Sequence, residues 1–468
     1  MPRDWSEFSQ YVQTLLQAGS VPGAQVCVRD ASGIVYSESF GYRDEAKTKP
    51  VNEDTIFGIA SMSKSVTSAA AALLEAEGKL CFDDPVEKYL PGFRVPGMPT
   101  EAVLVDHLAT HTTGVPPIPT LMWSMTAHTE ADPWEEEKHQ KLRTEAKSNV
   151  DTIQDIIDYI ASGDYTPLGQ AGEYRSYSND GYALLSSVID VAAGEPLENY
   201  LKRRLFTPLG MHHTTFNLDE ILATNNVTSL FVKTKEGVKA SDLWDMAPPY
   251  RGCGWIKSTA SDMTRYYLML SQSGCYEGKQ ILPKSCIERL FGSRFAETAE
   301  GKYCCGLNKR TFANHVICDH AGGLKGVASR GGFLKDEGYA VTVLTNLSNF
   351  NTAPILNGAF NLKIDLPVEQ SHQWAIPIGA VPQTPEMYLG QYCIREGSPV
   401  EVVVTKAEDG QLQITVEDVL MPLLYCGKTN FLMLPPDTKP EDGTPVVAFI
   451  RDGKAWALLR GSRMIQRI

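Results

Sequence analysis

The sequence predicts an α+β sandwich, an antiparallel sheet flanked by helices, with a small all-β barrel at the C-terminal end. Three observations predict it: strand-type runs near the N-terminus and again at roughly 303–347, a mostly helical stretch between them, and a change to short alternating strands beyond residue 376. A sheet made from both ends of the first part, with the intervening helices packed on it, gives each kind of segment a surface to bury. Residues 1–375 then form the main domain and 376–468 the barrel.

Taken in order, residues 5–18 place Trp5, Phe8, Tyr11, Val12, Leu15 and Leu16 on one helical face, and Gly19 with the Val21-Pro22-Gly23 turn ends that helix. Residues 24–29 and 34–40 alternate apolar and polar positions about Asp30-Ala31-Ser32-Gly33, which reads as a hairpin. From Ser61 to about residue 250 short amphipathic helices are separated by Pro and Gly breaks. Strand character returns where Gly331-Gly332-Phe333-Leu334 and residues 339–344 flank the polar turn Lys335-Asp336-Glu337-Gly338. After a Pro-rich stretch around 376–385, runs at 400–405, 411–416, 445–450 and 455–459 are broken by turns such as Asp409-Gly410 and Asp452-Gly453, the pattern of a small barrel. Residues 116–150 stand apart as a lid insertion: Pro116-Pro117-Ile118-Pro119, the apolar Leu121-Met122-Trp123, then a helix start at Asp132-Pro133 with Glu135, Glu136 and Glu137 against the helix dipole.

Composition narrows the functional classes. The 468-residue chain is 43% apolar and 21% charged, ordinary proportions for a packed core. A formal net charge of −13 with no compact Lys/Arg block argues against nucleic acid and anionic membranes as partners. The first residues carry acids and lack the apolar core of a signal peptide, and no helical pattern is long enough to span a bilayer, so a cytoplasmic location is expected. Ten scattered cysteines without C-x-x-C spacing read as buried thiols; a vicinal Cys304-Cys305 disulfide is disfavoured in a reducing compartment, and no metal is expected.

Chemistry concentrates in three places. Ser61-Met62-Ser63-Lys64 is the chain's only S-x-x-K and opens an apolar helix that Gly78 ends; three residues apart, Ser61 and Lys64 share one helical face, so the amine can reach the hydroxyl. Tyr177-Ser178-Asn179 is the only Y-x-N, in a loop before a helix starting near Asp180; a phenol beside Ser and Lys can pass a proton, and an amide can hold both the lysine and a carbonyl. His320-Ala321-Gly322-Gly323 enters the Gly-rich strands, where the Gly323 N–H can face an oxyanion. A competing K-x-G, Lys235-Glu236-Gly237, reads as a polar surface turn with no sheet to present it. Each element alone also fits a bland role: a surface Ser and Lys, an N-capping loop with a buried tyrosine, a satisfied structural histidine.

In that order the three elements resemble the signature of the serine β-lactamase and penicillin-binding-protein family, in particular its class C β-lactamase, D-aminopeptidase and family VIII-type esterase group. Phe57-Gly58-Ile59-Ala60, Phe82-Asp83-Asp84-Pro85, the stretch His107-Leu108-Ala109-Thr110-His111-Thr112-Thr113-Gly114 and Pro208-Leu209-Gly210-Met211 are similar too, so the likeness spans about residues 10–360. The resemblance implies a catalytic main domain with Ser61 as nucleophile, Lys64 and Tyr177 as shared base and acid, Asn179 as positioner, and the N–H groups of Ser61 and Gly323 as oxyanion hole, with no cofactor. It implies a serine hydrolase forming an acyl-enzyme on an ester, amide or lactam of a small molecule or peptide. An acyltransferase of the lovastatin-synthesis type would use the same residues, and a non-catalytic scaffold is the third reading. His320 stands where β-lactamases of the family carry a lysine, which removes a permanent charge for a substrate carboxylate. The C-terminal module is similar to the lipocalin-like barrel appended to several such hydrolases.

Overall fold

The computed structural model describes residues 5–134, 149–292, 301–397 and 399–468. Five helices organise the main domain: α1 (Ser6–Ala18), α2 (Ser63–Ala76), α3 (Asn179–Ala193), α4 (Ala260–Ser271) and α5 (Ala353–Lys363). Its sheet is made of β1 (Gly23–Asp30), β2 (Gly33–Gly41), β3 (Lys302–Cys304), β4 (Leu307–Phe312), β5 (His315–Leu324), β6 (Val327–Leu334) and β7 (Tyr339–Thr345). The strand order is β2-β1-β7-β6-β5-β4-β3, and every neighbouring pair is antiparallel. The N-terminal hairpin thus joins the strands around residue 340 through β1 and β7, where Val26 faces Val343.

Side-chain alternation along these strands builds the sandwich. Ala24, Val26 and Val28 of β1 and Val341 and Val343 of β7 point to one side, against Phe8, Val12 and Leu16 of α1 and Ile355, Leu356 and Phe360 of α5. Cys27, Ala340 and Leu344 point to the other side, into the core shared with α2, α3 and α4. The i, i+4, i+8 spacing of Phe8, Val12 and Leu16 is what commits α1 to a single buried face. By contrast α2 is buried all round from Ser63 to Leu74, which its small side chains, Ala69 to Ala72 among them, make sterically possible.

The region from Ser61 to 250 is not wholly helical. Leu230–Thr234 and Gly237–Ser241 pair as a hairpin, so Lys235-Glu236 is its tip: a polar, exposed turn, but one carried by two strands that sequence reading did not assign. The mostly polar run from Lys233 to Lys239 between their apolar ends hides the pairing. The helix predicted from Asp132-Pro133 falls largely outside the described residues, and so do Glu135, Glu136 and Glu137. All ten cysteines are free thiols, Cys304 and Cys305 included. No helix among the described residues is long and apolar enough to cross a membrane.

The C-terminal part is a closed barrel of β8 (Gly390–Ile394), β9 (Val400–Lys406), β10 (Leu412–Val416), β11 (Val419–Tyr425), β12 (Asn430–Met433), β13 (Thr444–Arg451), β14 (Lys454–Arg460) and β15 (Arg463–Arg467). Closure is made by β8 on β15, where Tyr392 faces Arg467. Tyr392, Val402, Val404, Ile414, Leu423, Phe431, Val446 and Leu458 fill its interior, a packed core in place of a channel. Outside, Ala457, Leu459 and Met464 pack against Leu168 of the main domain, and Trp456 meets Tyr174 edge to face with ring centres 5.1 Å apart. The turn between β14 and β15 and the start of β15 are each joined to the main domain by a hydrogen bond: Tyr177 N–H to the Ser462 carbonyl at 2.9 Å, and Met464 N–H to Ser176 Oγ at 3.1 Å.

Candidate active site

Ser61 sits in a 3-10 turn, Ala60–Met62, that runs directly into α2. Ala60 just before it has φ +45°, a left-handed conformation that costs an L-residue roughly 1–2 kcal/mol. The turn is held in place from several directions. Ser63 Oγ donates to the Ala60 carbonyl at 2.7 Å, Ile59 N–H to the Ile256 carbonyl at 3.1 Å, and Ser329 Oγ of β6 to the Ile59 carbonyl at 2.8 Å. A Cβ on Gly322 would lie 2.3 Å from the same Ile59 oxygen, so only glycine lets β5 lie against the serine turn.

Lys64 has no exposed surface. Its Nζ donates to Ser61 Oγ at 3.1 Å, Asn179 Oδ1 at 2.9 Å and the Cys253 carbonyl at 2.7 Å, three acceptors for its N–H donors. Ser61 itself is partly exposed, unlike the lysine that its hydroxyl contacts.

The Tyr177 loop is fixed by a histidine. His111, in the left-handed region at the end of the short helix Val105–Thr110, accepts the Ser178 N–H at Nδ1 (3.1 Å), and its carbonyl accepts the Ser176 N–H at 2.9 Å. Ser178 Oγ caps α3 by accepting from Gly181 N–H at 3.0 Å, which points Asn179 at Lys64. Capping and site-building are therefore one arrangement rather than alternatives. The Tyr177 ring lies 4.3 Å from that of His111, with the Lys64 amine 4.8 Å from its centre. Burial, reinforced by the Lys64 charge, drives the His111 pKa well below that of a free imidazole.

His320 of β5 is also buried and neutral. Its Nδ1 is 2.5 Å from the Ala321 carbonyl, which can only accept, so the proton is on Nδ1 and Nε2 accepts from the Tyr303 hydroxyl at 3.1 Å. Burial, with Lys64 nearby, pushes its pKa down to about 3. Gly323 lies on β5 opposite Ala328 of β6, past the point where pairing with β4 stops at Asn308–Asp319. Beyond Asp319 the strand beside the serine turn therefore has, among the described residues, one side without a sheet partner.

The structure brings together Ser61, Lys64, Tyr177 and Asn179 by direct contact and sets His320 beside Tyr177, ring centres 6.0 Å apart. It adds groups the sequence did not announce. The Cys253 carbonyl is a backbone atom with no motif of its own, in a stretch, Gly252-Cys253-Gly254-Trp255, that is also similar to the family. His111 was legible only as part of a similar stretch, and Tyr303 had no signal. Two more come from the barrel: Glu396, which accepts from Asn179 Nδ2 at 3.2 Å, and Arg463, which pairs with Glu396 and lies 4.8 Å from the centre of the Tyr177 ring. In the 116–150 segment, Trp123 is buried against Tyr159, and Asp132 pairs at 2.9 Å with Lys325, in the turn that follows β5.

An antiparallel sheet between helical layers, with serine and lysine one turn apart at a helix start and tyrosine and asparagine facing them from a second loop, defines a protein of the serine β-lactamase and penicillin-binding-protein class. The Beta-lactamase family model matches residues 8–364, and the chain belongs to that family. Among curated relatives it is 30% identical over 189 residues to a penicillin-binding protein of Bacillus subtilis (strain 168), covering 40% of this chain and 37% of that one. It is 25% identical over 267 residues to a β-lactamase of Providencia stuartii, covering 57% and 60%. The matches thus span less than two thirds of either relative's length. Among solved structures, the octameric penicillin-binding protein homologue from Pyrococcus abyssi superposes with TM-score 0.67 at 22% identity, covering 99% of this chain and 100% of the other. SurE does so with TM-score 0.72 at 19% identity, covering 99% and 98%. At these identities the two structures speak for the fold, barrel included.

Proposed function

We propose that the chain is a serine hydrolase that cleaves an ester, amide or lactam of a small molecule or peptide through an acyl-enzyme on Ser61. The observation that carries this reading is the 3.1 Å hydrogen bond between the amine of a fully buried Lys64 and the hydroxyl of Ser61, a partly exposed residue. In acylation Ser61 Oγ attacks the substrate carbonyl carbon while Lys64 Nζ takes its proton, and the C–X bond breaks as Tyr177 gives its proton to the leaving group and is reprotonated from Lys64, which restores both groups. The N–H groups of Ser61 and Gly323 face the developing oxyanion, and Asn179 positions the carbonyl. Water then attacks the ester, releasing the acid and returning the proton to Ser61.

His320 shapes substrate choice by what it lacks. A neutral imidazole with both nitrogens engaged offers no fixed charge to a carboxylate, which favours neutral acyl groups over carboxylate-bearing lactams. No cofactor enters these steps. The test is p-nitrophenol release from esters of several chain lengths, with water alone and with added alcohols or amines, alongside Ser61→Ala. Free acid as the main product with every acceptor supports the hydrolase. Transfer product dominating whenever an acceptor is present would replace it with an acyltransferase.

A further inference from the structure

Asn179 is held from two sides by groups of opposite hydrogen-bonding character. Lys64 Nζ, 2.9 Å from Oδ1, approaches from the main domain, while the Glu396 carboxylate, 3.2 Å from Nδ2, comes from the loop between β8 and β9 of the barrel. A carboxylate only accepts, so whichever Asn179 atom faces Glu396 must be the amide nitrogen, and the oxygen must then face Lys64. The carboxylate is itself aimed by Arg463, whose Nη2 donates to the same Oε1 at 3.0 Å. Arg463 opens β15 directly after Ser462, whose carbonyl is bound to the Tyr177 N–H.

We propose that Glu396 is a positioning residue of the active site, supplied by the barrel, which locks the Asn179 amide in the one orientation the reaction can use. The need for it arises during proton transfer. A charged lysine fixes the amide by itself, because an ammonium only donates. Once Lys64 is an amine its single lone pair must face the Ser61 hydroxyl, and an Asn179 amide turned to present Nδ2 would donate to that lone pair and occupy it. Glu396 keeps Nδ2 outward in both states. Since the amide nitrogen carries two N–H bonds, one is spent on Glu396 and the other remains for a substrate carbonyl. The barrel is on this account part of the catalytic geometry, and the assignment rests on Ser61 being the acylated group.

The test is the rate of Ser61 labelling by a fluorophosphonate in the full-length chain, measured at increasing reagent for wild type, Glu396→Ala and Glu396→Gln, with thermal unfolding of each. The glutamine variant keeps an oxygen acceptor for Asn179 but loses the ion pair to Arg463. The expected result is a limiting labelling rate slower by roughly tenfold or more in E396A, from lost orientation, with half-saturation little changed, and a rate within about threefold of wild type in E396Q. Equal rates in wild type and E396A would overturn the assignment. So would an E396Q as slow as E396A, because the ion pair rather than the acceptor would then matter. A wild-type chain that takes no label overturns the reading of Ser61 and the assignment with it.

Discussion

Two cations flank the Tyr177 ring, Lys64 and Arg463, each 4.8 Å from its centre, and they belong to two regions held in different ways. Lys64, from the main domain, has no exposed surface and three fixed acceptors drawn from α2's own turn, the start of α3 and the 253 backbone. Arg463, from the barrel, leaves 32% of its side chain exposed and is held by the Glu396 carboxylate and, at 3.5 Å, by Ser462 Oγ. A buried, over-determined group leaves neighbours unpaired when removed, whereas a partly exposed ion pair is more screened and yields more readily to water. Damage on the main-domain side should abolish chemistry, and damage on the barrel side should tune it.

The largest expected effect is at Lys64. Lys64→Met fills a similar volume but removes the group that takes the Ser61 proton, so turnover should fall by roughly a thousandfold or more with the fold retained. Steady-state kinetics beside circular dichroism checks this, and residual activity near that of barrel variants would erase the distinction between the regions.

Next comes Asp180, buried behind Asn179, with its Oδ1 accepting from Thr120 Oγ1 at 2.5 Å and Tyr250 Oη at 2.6 Å. Burial, only partly offset by these hydrogen bonds, pushes its carboxyl pKa from 3.8 up to about 6. Between those values the native state holds a proton the unfolded chain has released, so stability falls as pH rises through that window. Above it the loss amounts to about 3 kcal/mol. Asp180→Asn keeps the acceptor and removes the ionisation. Its unfolding free energy relative to wild type should therefore improve by about 3 kcal/mol between roughly pH 3.5 and pH 8 in denaturant titrations. An unchanged difference would mean Asp180 ionises at no cost.

Much of this frame was legible in the sequence because it is local. The one-faced pattern of Phe8, Val12 and Leu16, the Asp30-to-Gly33 turn and the S-x-x-K placement each depend on neighbours a few residues away. What escaped is what has no local signature. Pro422 interrupts β11, and the uninterrupted apolar residues of Phe431-Leu432-Met433 in β12 show no alternation, so both strands went unread. Glu396 lies 217 residues from Asn179, and nothing in its own surroundings marks it as part of a site. In the structure the barrel reaches the residues around Ser61.

The smallest effect is expected at Tyr303, which supports His320 and meets the Tyr177 ring only edge to face, ring centres 6.3 Å apart. Tyr303→Phe leaves the buried Nε2 without its donor and should cost about 1–2 kcal/mol of stability. Activity should change less than in the Lys64 variant; a loss equal to that of Lys64→Met would place Tyr303 in the chemistry.

The measurement that tests the central claim most directly is intact-protein mass spectrometry after exposure to a fluorophosphonate, with peptide mapping and Ser61→Ala as control. One adduct per chain, mapped to Ser61 and absent from the variant, is the predicted result. An adduct mapped to another serine, or the same adduct in Ser61→Ala, would contradict it.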